Sequence, residues 1–344
     1  LIDWLSAKVP LAWQQPINDG LFVSIRADGE IEYQTDKRKM LIGSFQSHLT
    51  VRSVELGFVE LSGNPVKFLQ GHNLMGTDDL AGLLLATMDK VCAACGVDPS
   101  VEDRAAWLRG DVVISRLDCT AMYELESRDD VLEWLRAADQ LAHVKWRGRG
   151  HYDPGTLTFG MAQKGKRAKD WQLMLYCKGL ELTLPGHQLH PDLPEFRRLL
   201  DWADNKLRIE LRLRTRELKR HGLLKVGDWS PEQVSRMLER YLAKVEMSEQ
   251  QMVHVDVEKN LKPRHRAALA LWKTGADLKS IYPRQTFYRY RKEVADACGV
   301  DIGSRANVDN VIPLRRVLEA KPATVPVWAE ACCFVPPARI RRAL

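Results

Sequence analysis

Residues 207–214 read LRIELRLR, an unbroken alternation of aliphatic and charged side chains. A period of two is the period of a β-strand. Leu207, Ile209, Leu211 and Leu213 therefore face a core, and Arg208, Glu210, Arg212 and Arg214 face away from it. Two further stretches carry the same pattern. In WQLMLYCK (171–178), Trp171, Leu173, Leu175 and Cys177 oppose Gln172, Met174, Tyr176 and Lys178. In VVISRLDCT (112–120), Val113, Ser115, Leu117 and Cys119 oppose Val112, Ile114, Arg116, Asp118 and Thr120. Each strand thus sets a carboxylate or a phenol in mid-strand on its non-core face. A carboxylate there is costly unless it has a partner or a metal.

The elements between these strands fix the fold class. Strand 112–120 precedes a helix over 128–141 capped by Ser127. Strand 156–161, a basic turn and strand 171–178 form a hairpin, and a helix over 193–203 leads to strand 207–214. The order is β-α-β-β-α-β, the split βαβ unit of an α+β, ferredoxin-like fold. Its antiparallel sheet has the order 4-1-3-2 with helices on one face. The Glu210 strand then lies beside the Asp118 strand, which lies beside the Tyr176 strand, and the three side chains converge on the open face.

Around this core the chain divides into an N-terminal β-rich part (1–100), the βαββαβ core (101–225), a helical region (226–310) and an extended tail (311–344). LFVSIRADGEIEYQT (21–35) is a hairpin turning at Asp28-Gly29. Strands are expected over 47–61, broken near Gly57, and over 66–69. Thr77 is the expected N-cap of a helix over 78–95. Past Thr215 the pattern is helical. An amphipathic helix spans 231–245, and helices over 265–274 and 284–297 flank a short segment as in a helix-turn-helix. The second, RQTFYRYRKEVADA, offers Arg284, Arg289 and Arg291 for phosphate and base-edge contact. In the proline-rich tail, Trp328 is placed to dock on the main body.

Composition excludes several classes. The 344 residues are 28% charged with a mean hydropathy of −0.30, and no apolar run reaches the roughly 18 residues of a membrane span. The opening, LIDWLSAKVPLAW, is broken by Asp3, Lys8 and Pro10 and does not read as a secretory signal. Seven cysteines without disulfide spacing fit reduced cytoplasmic thiols. Cys92 and Cys95 form a lone CxxC on a helical pattern and read as packing residues rather than zinc ligands. The net charge of +6 fits a polyanionic partner. There is no Walker loop, and no G-x-G-x-x-G follows a strand.

Carboxylates beside a tyrosine on a basic sheet point to metal-assisted phosphodiester cleavage. Asp118 and Glu210 would hold Mg²⁺ or Mn²⁺, the hard cations that oxygen ligands select. Tyr176 would be the nucleophile, and Lys178 on its face would favour phenolate. Arg116, Arg208, Arg212 and Arg214 would grip DNA phosphates. The basic turn, with Lys164, Lys166, Arg167 and Lys169, would clamp the duplex. Tyr123 and Tyr152 are competing nucleophiles. Glu181 lies at a turn on the opposite parity from Tyr176. A rival of another class is a DNA-binding regulator without catalysis, although carboxylates on a DNA face repel phosphate.

Several collinear blocks resemble one family: KFLQGHNLMGTDDL (67–80), ISRLDCT (114–120), LYCKGLEL (175–182), LRIELRLRTRELKRHGL (207–223), PRQTFYRY (283–290) and NVIPLRRVL (310–318). They are similar to the filamentous-phage gene II replication initiators, relatives of plasmid rolling-circle initiators with HUH-endonuclease-like sheets. The resemblance implies an enzyme of the host cytoplasm that nicks one strand of supercoiled origin DNA. It keeps the 5′ end on a tyrosine corresponding to Tyr176 and later rejoins the displaced strand. It also implies host helicase and polymerase partners. Related initiators often hold their metal with a His-hydrophobic-His pair. This chain has Gln70-Gly71-His72, which leaves His72 as a third ligand candidate beside Asp118 and Glu210.

Overall fold

The computed structural model describes residues 1–13, 15–144, 148–160, 170–247, 261–273, 276–298, 301–303 and 323–335. In chain order the first strands are β1 (Ile2–Pro10), β2 (Leu21–Ile25), β3 (Ile31–Asp36), β4 (Lys39–Ile42), β5 (His48–Glu55) and β6 (Phe58–Gly63). Helices α1 (Pro65–Gln70), α2 (Leu80–Cys95) and α3 (Val101–Arg109) follow. Next come β7 (Val113–Glu124), α4 (Arg128–Leu141), and the short strands β8 (Ala142–Val144), β9 (Gly148–Arg149), β10 (His151–Asp153) and β11 (Thr156–Phe159). The set closes with β12 (Trp171–Cys177), α5 (Lys178–Glu181), α6 (Phe196–Ala203), β13 (Lys206–Arg214), α7 (Thr215–Arg220), α8 (Pro231–Leu242) and β14 (Val245–Met247).

These elements form a mixed α/β structure built on one large antiparallel sheet. Its nine strands run β10-β11-β12-β13-β7-β1-β6-β5-β4. A single sheet thus passes through both residues 1–100 and residues 101–225. The expected order 4-1-3-2 is not what the strands adopt: β13 lies between β12 and β7, giving 2-3-4-1. The reason is edge occupancy. β1 pairs with one edge of β7, from Ile2 opposite Cys119 to Lys8 opposite Val113, so β7 has one edge left and β13 takes it. β12 then pairs with the far edge of β13.

The alternation of β13 is realised as read. Leu207, Ile209, Leu211 and Leu213 are fully buried in the main core. Each contributes about 1.5–3 kcal/mol by leaving water. α4 lies against β11, β12 and β13, and α8 against β7. In β7 the alternation slips. Ile114 pairs with Ala7 and Arg116 with Ser6, which leaves Ser115 as a bulge. Ile114 and Leu117 consequently both enter the core, and Val113, expected on the core face, is 39% exposed.

Helices are not confined to one face. At the end of β7, Met122 occupies the charged face's parity and seeds a second apolar cluster with Leu74, Leu193 and Leu199. α6 lands there, together with the segment 323–335, where Trp328 packs against the same cluster and under Arg198. The expected docking of Trp328 is present.

Two local expectations fail for capping reasons. Residues 66–69 form α1 rather than a strand, because Asn64 caps it by accepting from Lys67 N at 2.7 Å and Pro65 opens its first turn. α2 begins at Leu80, since Asp79 rather than Thr77 is its N-cap. Cys92 is buried on α2, and burial pushes its thiol up to about 12. Among the described residues no helix is long and apolar enough to cross a membrane.

A separate module contains α9 (Pro263–Lys273), α10 (Leu278–Ile281) and α11 (Arg284–Cys298), packed around Leu261, Leu269, Leu278, Phe287 and Val294.

Leu211→Ala is expected to lower unfolding free energy by about 2–5 kcal/mol, read from urea denaturation, because it opens a cavity under the central strand. Val113→Ala, at the exposed end of β7, should change it by less than about 1 kcal/mol.

Candidate active site

The three strands β12, β13 and β7 bring Tyr176, Glu210 and Asp118 together, although in a different neighbour order from the expected one. Tyr176 pairs with Arg208 across β12–β13, and Arg212 pairs with Asp118 across β13–β7. Glu210 lies between these rows. Tyr176 Oη donates to Glu210 Oε2 at 3.4 Å, reaching diagonally along the sheet. Asp118, Tyr176, Glu210, Arg116 and Arg212 all line a cleft of about 650 Å³. The face is not open, however. Asp118 is 0% exposed, Glu210 6% and Tyr176 8%.

Arginines hold the carboxylates. Arg116 Nε donates to Asp118 Oδ1 at 2.8 Å, and its Nη2 donates to Oδ2. Arg212 bridges the pair, with Nε to Asp118 Oδ2 and Nη2 to Glu210 Oε1, both at 3.1 Å. Burial, with the nearby Asp118 charge adding to it, still holds the Glu210 carboxyl well above the usual carboxylate range. Burial also pushes the Tyr176 phenol well above 10; Arg208 opposes this and the Glu210 charge adds to it.

Arg208 does not face solvent and is not available as a phosphate grip. It is 1% exposed and buried behind the cleft. Nη2 donates to Asp3 Oδ1 at 2.5 Å and Nη1 to the Asn73 carbonyl at 2.5 Å. Asp3 itself accepts from Asn64 Nδ2 at 2.8 Å and Asn73 Nδ2 at 2.9 Å. Asp3 is on the charged face because β1 bulges there: Ile2 pairs with Cys119 and Trp4 with Asp118, so Asp3 is the extra residue. Burial would raise its carboxyl, but Arg208 and Lys178 outweigh that and hold it below its usual value. Nothing in the period-two reading marks Asp3, since a bulge has no sequence period.

Lys178 opens α5 with its ammonium 6.0 Å from the centre of the Tyr176 ring. It donates to Glu181 Oε2 at 2.5 Å and to Asn73 Oδ1 at 3.2 Å. Burial lowers its pKa, with Arg208 adding to the effect. Glu181, assigned to a turn on the wrong parity, lines the cleft after all because α5 breaks the strand period. It also accepts from His187 Nδ1 at 2.9 Å.

His72 is not brought to the carboxylates. It is fully buried, Nδ1 accepting from Gln70 Nε2 at 3.2 Å and Nε2 donating to the Cys332 carbonyl at 3.2 Å. Gln70 Oε1 accepts from Phe334 N at 2.6 Å. Gln70 and His72 thus clamp the segment 323–335. Among the described residues no group of three or more His, Cys, Asp or Glu side chains is placed to hold a metal ion. Tyr123 lines a different, apolar pocket with Met122 and Leu238, and Tyr152 Oη accepts from Gly155 N at 3.4 Å.

Of the remaining basic candidates, Lys164, Lys166, Arg167 and Lys169 lie outside the described residues. Arg214 ends β13, opposite Arg116. Arg284 and Arg289 are exposed on α11, in line with Gln285, Tyr288 and Lys292. Arg291 is not free to reach a ligand, because its guanidinium is engaged bidentately by Asp301 at 2.6 and 2.8 Å.

Comparison with known proteins is consistent across the chain. Residues 1–232 match the N-terminal family of the phage replication-associated protein of gene II type, and residues 247–332 match its C-terminal family. The chain belongs to this replication-associated protein family. A relative, the replication-associated protein of the same type from Enterobacteria phage I2-2, is 34% identical over 337 residues, covering 95% of each chain. No solved structure matches the chain significantly. In this member of the replication-associated family the cleft falls within the N-terminal match and the α9–α11 module within the C-terminal one.

The His72 clamp has a pH consequence. Burial depresses its pKa from 6.5 to about 4, with the Lys178 charge adding to that and the Cys332 hydrogen bond opposing it. The unfolded chain therefore binds this proton first, and stability falls as pH drops from about 6.5 towards 4. His72→Gln is expected to lose about 2–3 kcal/mol less than wild type between pH 7 and pH 4.5, measured by urea denaturation at both. Parallel losses would place the acid sensitivity elsewhere.

Proposed function

We propose that this chain is a rolling-circle replication initiator that nicks one strand of a phage origin with Tyr176 and keeps the 5′ end. The observation that carries the reading is the Tyr176 Oη–Glu210 Oε2 hydrogen bond at 3.4 Å, beside Asp118 and two arginines in one cleft. A phenol and paired carboxylates are the donor set for phosphoryl transfer to tyrosine, and family membership supplies the replication context.

In the proposed reaction the Tyr176 oxygen attacks the scissile phosphorus. The phenolic proton passes along the hydrogen bond to Glu210 Oε2, which accepts it in its ionised form; burial strengthens Glu210 as a base but requires that its own proton first be given up. The phosphorus–O3′ bond breaks, and O3′ takes up the proton held by Glu210 and leaves as the hydroxyl that primes synthesis. Attack by a 3′-OH on the tyrosyl phosphodiester runs the same steps backwards and rejoins the strand. Arg208, paired with Tyr176 across the strands, favours the phenolate. Arg116 and Arg212 would exchange their carboxylate partners for phosphate oxygens.

The residues present fit a hard divalent ion. Asp118 and Glu210 are buried close enough for one to raise the other's pKa, a repulsion that a cation relieves. Two carboxylates, with water and phosphate completing the shell, are a common Mg²⁺ pattern. When bound there, Mg²⁺ or Mn²⁺ supplies Lewis-acid polarisation of the phosphate.

The exposed Arg284, Tyr288, Arg289 and Lys292 of α11 would read origin duplex, leaving the displaced single strand to the cleft. Host helicase and polymerase would act on the primed nick. A non-catalytic origin- or operator-binding role is the second reading, favoured by the burial of Tyr176 and by the arginines already occupying both carboxylates.

The test is conversion of supercoiled origin plasmid to open circles with Mg²⁺. Tyr176→Phe should lose roughly a thousandfold or more in rate while binding the same DNA. Asp118→Asn should also lose nicking and retain binding. Nicking by Tyr176→Phe at the wild-type rate would remove the tyrosine from the reaction, and no nicking by wild type would favour the regulator.

A further inference from the structure

The cleft extends beyond Tyr176 and Glu210, between the loop before β5 and the loop after α5. Phe45, Gln46, Ser47 and His48 form one wall there, and residues 186–191 form the other. The rings of Phe45 and His190 meet across it, with centroids 6.0 Å apart and planes tilted by 50°. Phe45 is 36% exposed and belongs to none of the hydrophobic clusters. Its ring is therefore not placed there to complete a core.

The backbone beneath it is held at a cost. Phe45 and Gln46 have φ of 50° and 58°, a left-handed region that side chains rarely adopt. Such conformations persist only where surroundings enforce them, and they cluster at binding sites. The enforcement is visible here. Ser44 Oγ donates to the Leu69 carbonyl at 2.7 Å, Ser47 Oγ donates to the Ser44 carbonyl at 2.7 Å, and Lys90 Nζ reaches both Ser44 Oγ and the Phe68 carbonyl at 3.0 Å. Gly71 provides the seat, because a Cβ there would lie 2.4 Å from Phe45 Cδ2. The result is an aromatic shelf, held by these hydrogen bonds, facing a polar cleft.

Cations and carboxylates both line the same cleft, Asp3, Asp118, Glu181 and Glu210 being the acidic members. Arg116 and Arg212 stand at the Tyr176 end, and Lys67 lies on the wall. Aromatic faces beside guanidiniums and an ammonium are a recognition chemistry of unpaired nucleic acid. Bases offer a π-face to the rings, and the backbone offers charge to the cations. The volume, about 650 Å³, is in the range of sites that enclose a small molecule. A duplex cannot use the shelf, since its base faces are already stacked on one another.

We infer that Phe45 and His190 form a stacking site for one unpaired nucleobase of a single DNA strand, adjoining the phosphate position at Tyr176. This deepens the proposed function and shares its substrate, but stacking requires no cleavage and is measured without it.

The experiment uses the full chain with oligothymidine carrying one 5-iododeoxyuridine. Irradiated complexes are digested and the cross-linked peptide mapped, and affinity is measured by fluorescence anisotropy. Cross-links are expected at Phe45 or His190. Phe45→Leu should weaken single-strand binding roughly 5- to 100-fold, and Phe45→Trp should restore it. His190→Ala, at a half-buried position, should weaken it in the same direction. Cross-links confined to other segments, unchanged affinity in Phe45→Leu, or failure of Phe45→Trp to restore binding would each overturn the inference. Wild-type cross-linking at the shelf without nicking of supercoiled DNA would sink the tyrosine reading and leave the shelf standing.

Discussion

Arg208 is the buried cation on which the charged face depends. A guanidinium in mid-sheet loses its hydration, and it is tolerated because Asp3, the Asn73 carbonyl and Thr120 surround it. That pairing ties the bulge of β1 to the centre of β13 and brings in the loop after α1. It therefore joins the N-terminal strands to the strands that bear Tyr176, Glu210 and Asp118. Its charge also opposes the upward shift of the Tyr176 phenol, while Arg116 and Arg212 hold Asp118 and Glu210.

The same electrostatics gives the cleft two halves. Around Tyr176 and Glu210, burial disfavours ionisation of both the phenol and the carboxyl. Around Arg116 and Arg212, guanidiniums are held by carboxylates that phosphate could replace. Lys178 has its partner in Glu181 and stands 6.0 Å from the centre of the Tyr176 ring.

Much of this was legible in the sequence because period two is an exact signature. LRIELRLR announced both faces of β13, and the parities of Tyr176, Glu210 and Asp118 were enough to bring them to one face. Ser127 marked the start of α4. The unread parts have particular causes. Bulges at Asp3 and Ser115 insert a residue without changing composition, so the partner of Arg208 was invisible and Val113 was assigned to the core. The order of strands could not be read from β7 onward, because the decisive neighbour, β1, lies more than a hundred residues upstream. His72 is a ligand candidate only by resemblance to initiators with a His-hydrophobic-His pair, whereas it meets the carbonyl of Cys332, a contact across 260 residues. The Asn64-Pro65 pair, a capping side chain followed by a first-turn proline, is the sequence signal of α1.

The fold places a tyrosine beside paired carboxylates within one cleft, and the proposed chemistry turns on which atom receives the DNA. The most direct measurement is mass spectrometry of wild-type protein after reaction with origin DNA and nuclease trimming. The expected result is a nucleotide adduct on the peptide containing Tyr176, joined through its phenolic oxygen to a 5′ phosphate. An adduct on the peptide of Tyr123 or Tyr152, or nicked DNA with no adduct on any peptide, would contradict the account.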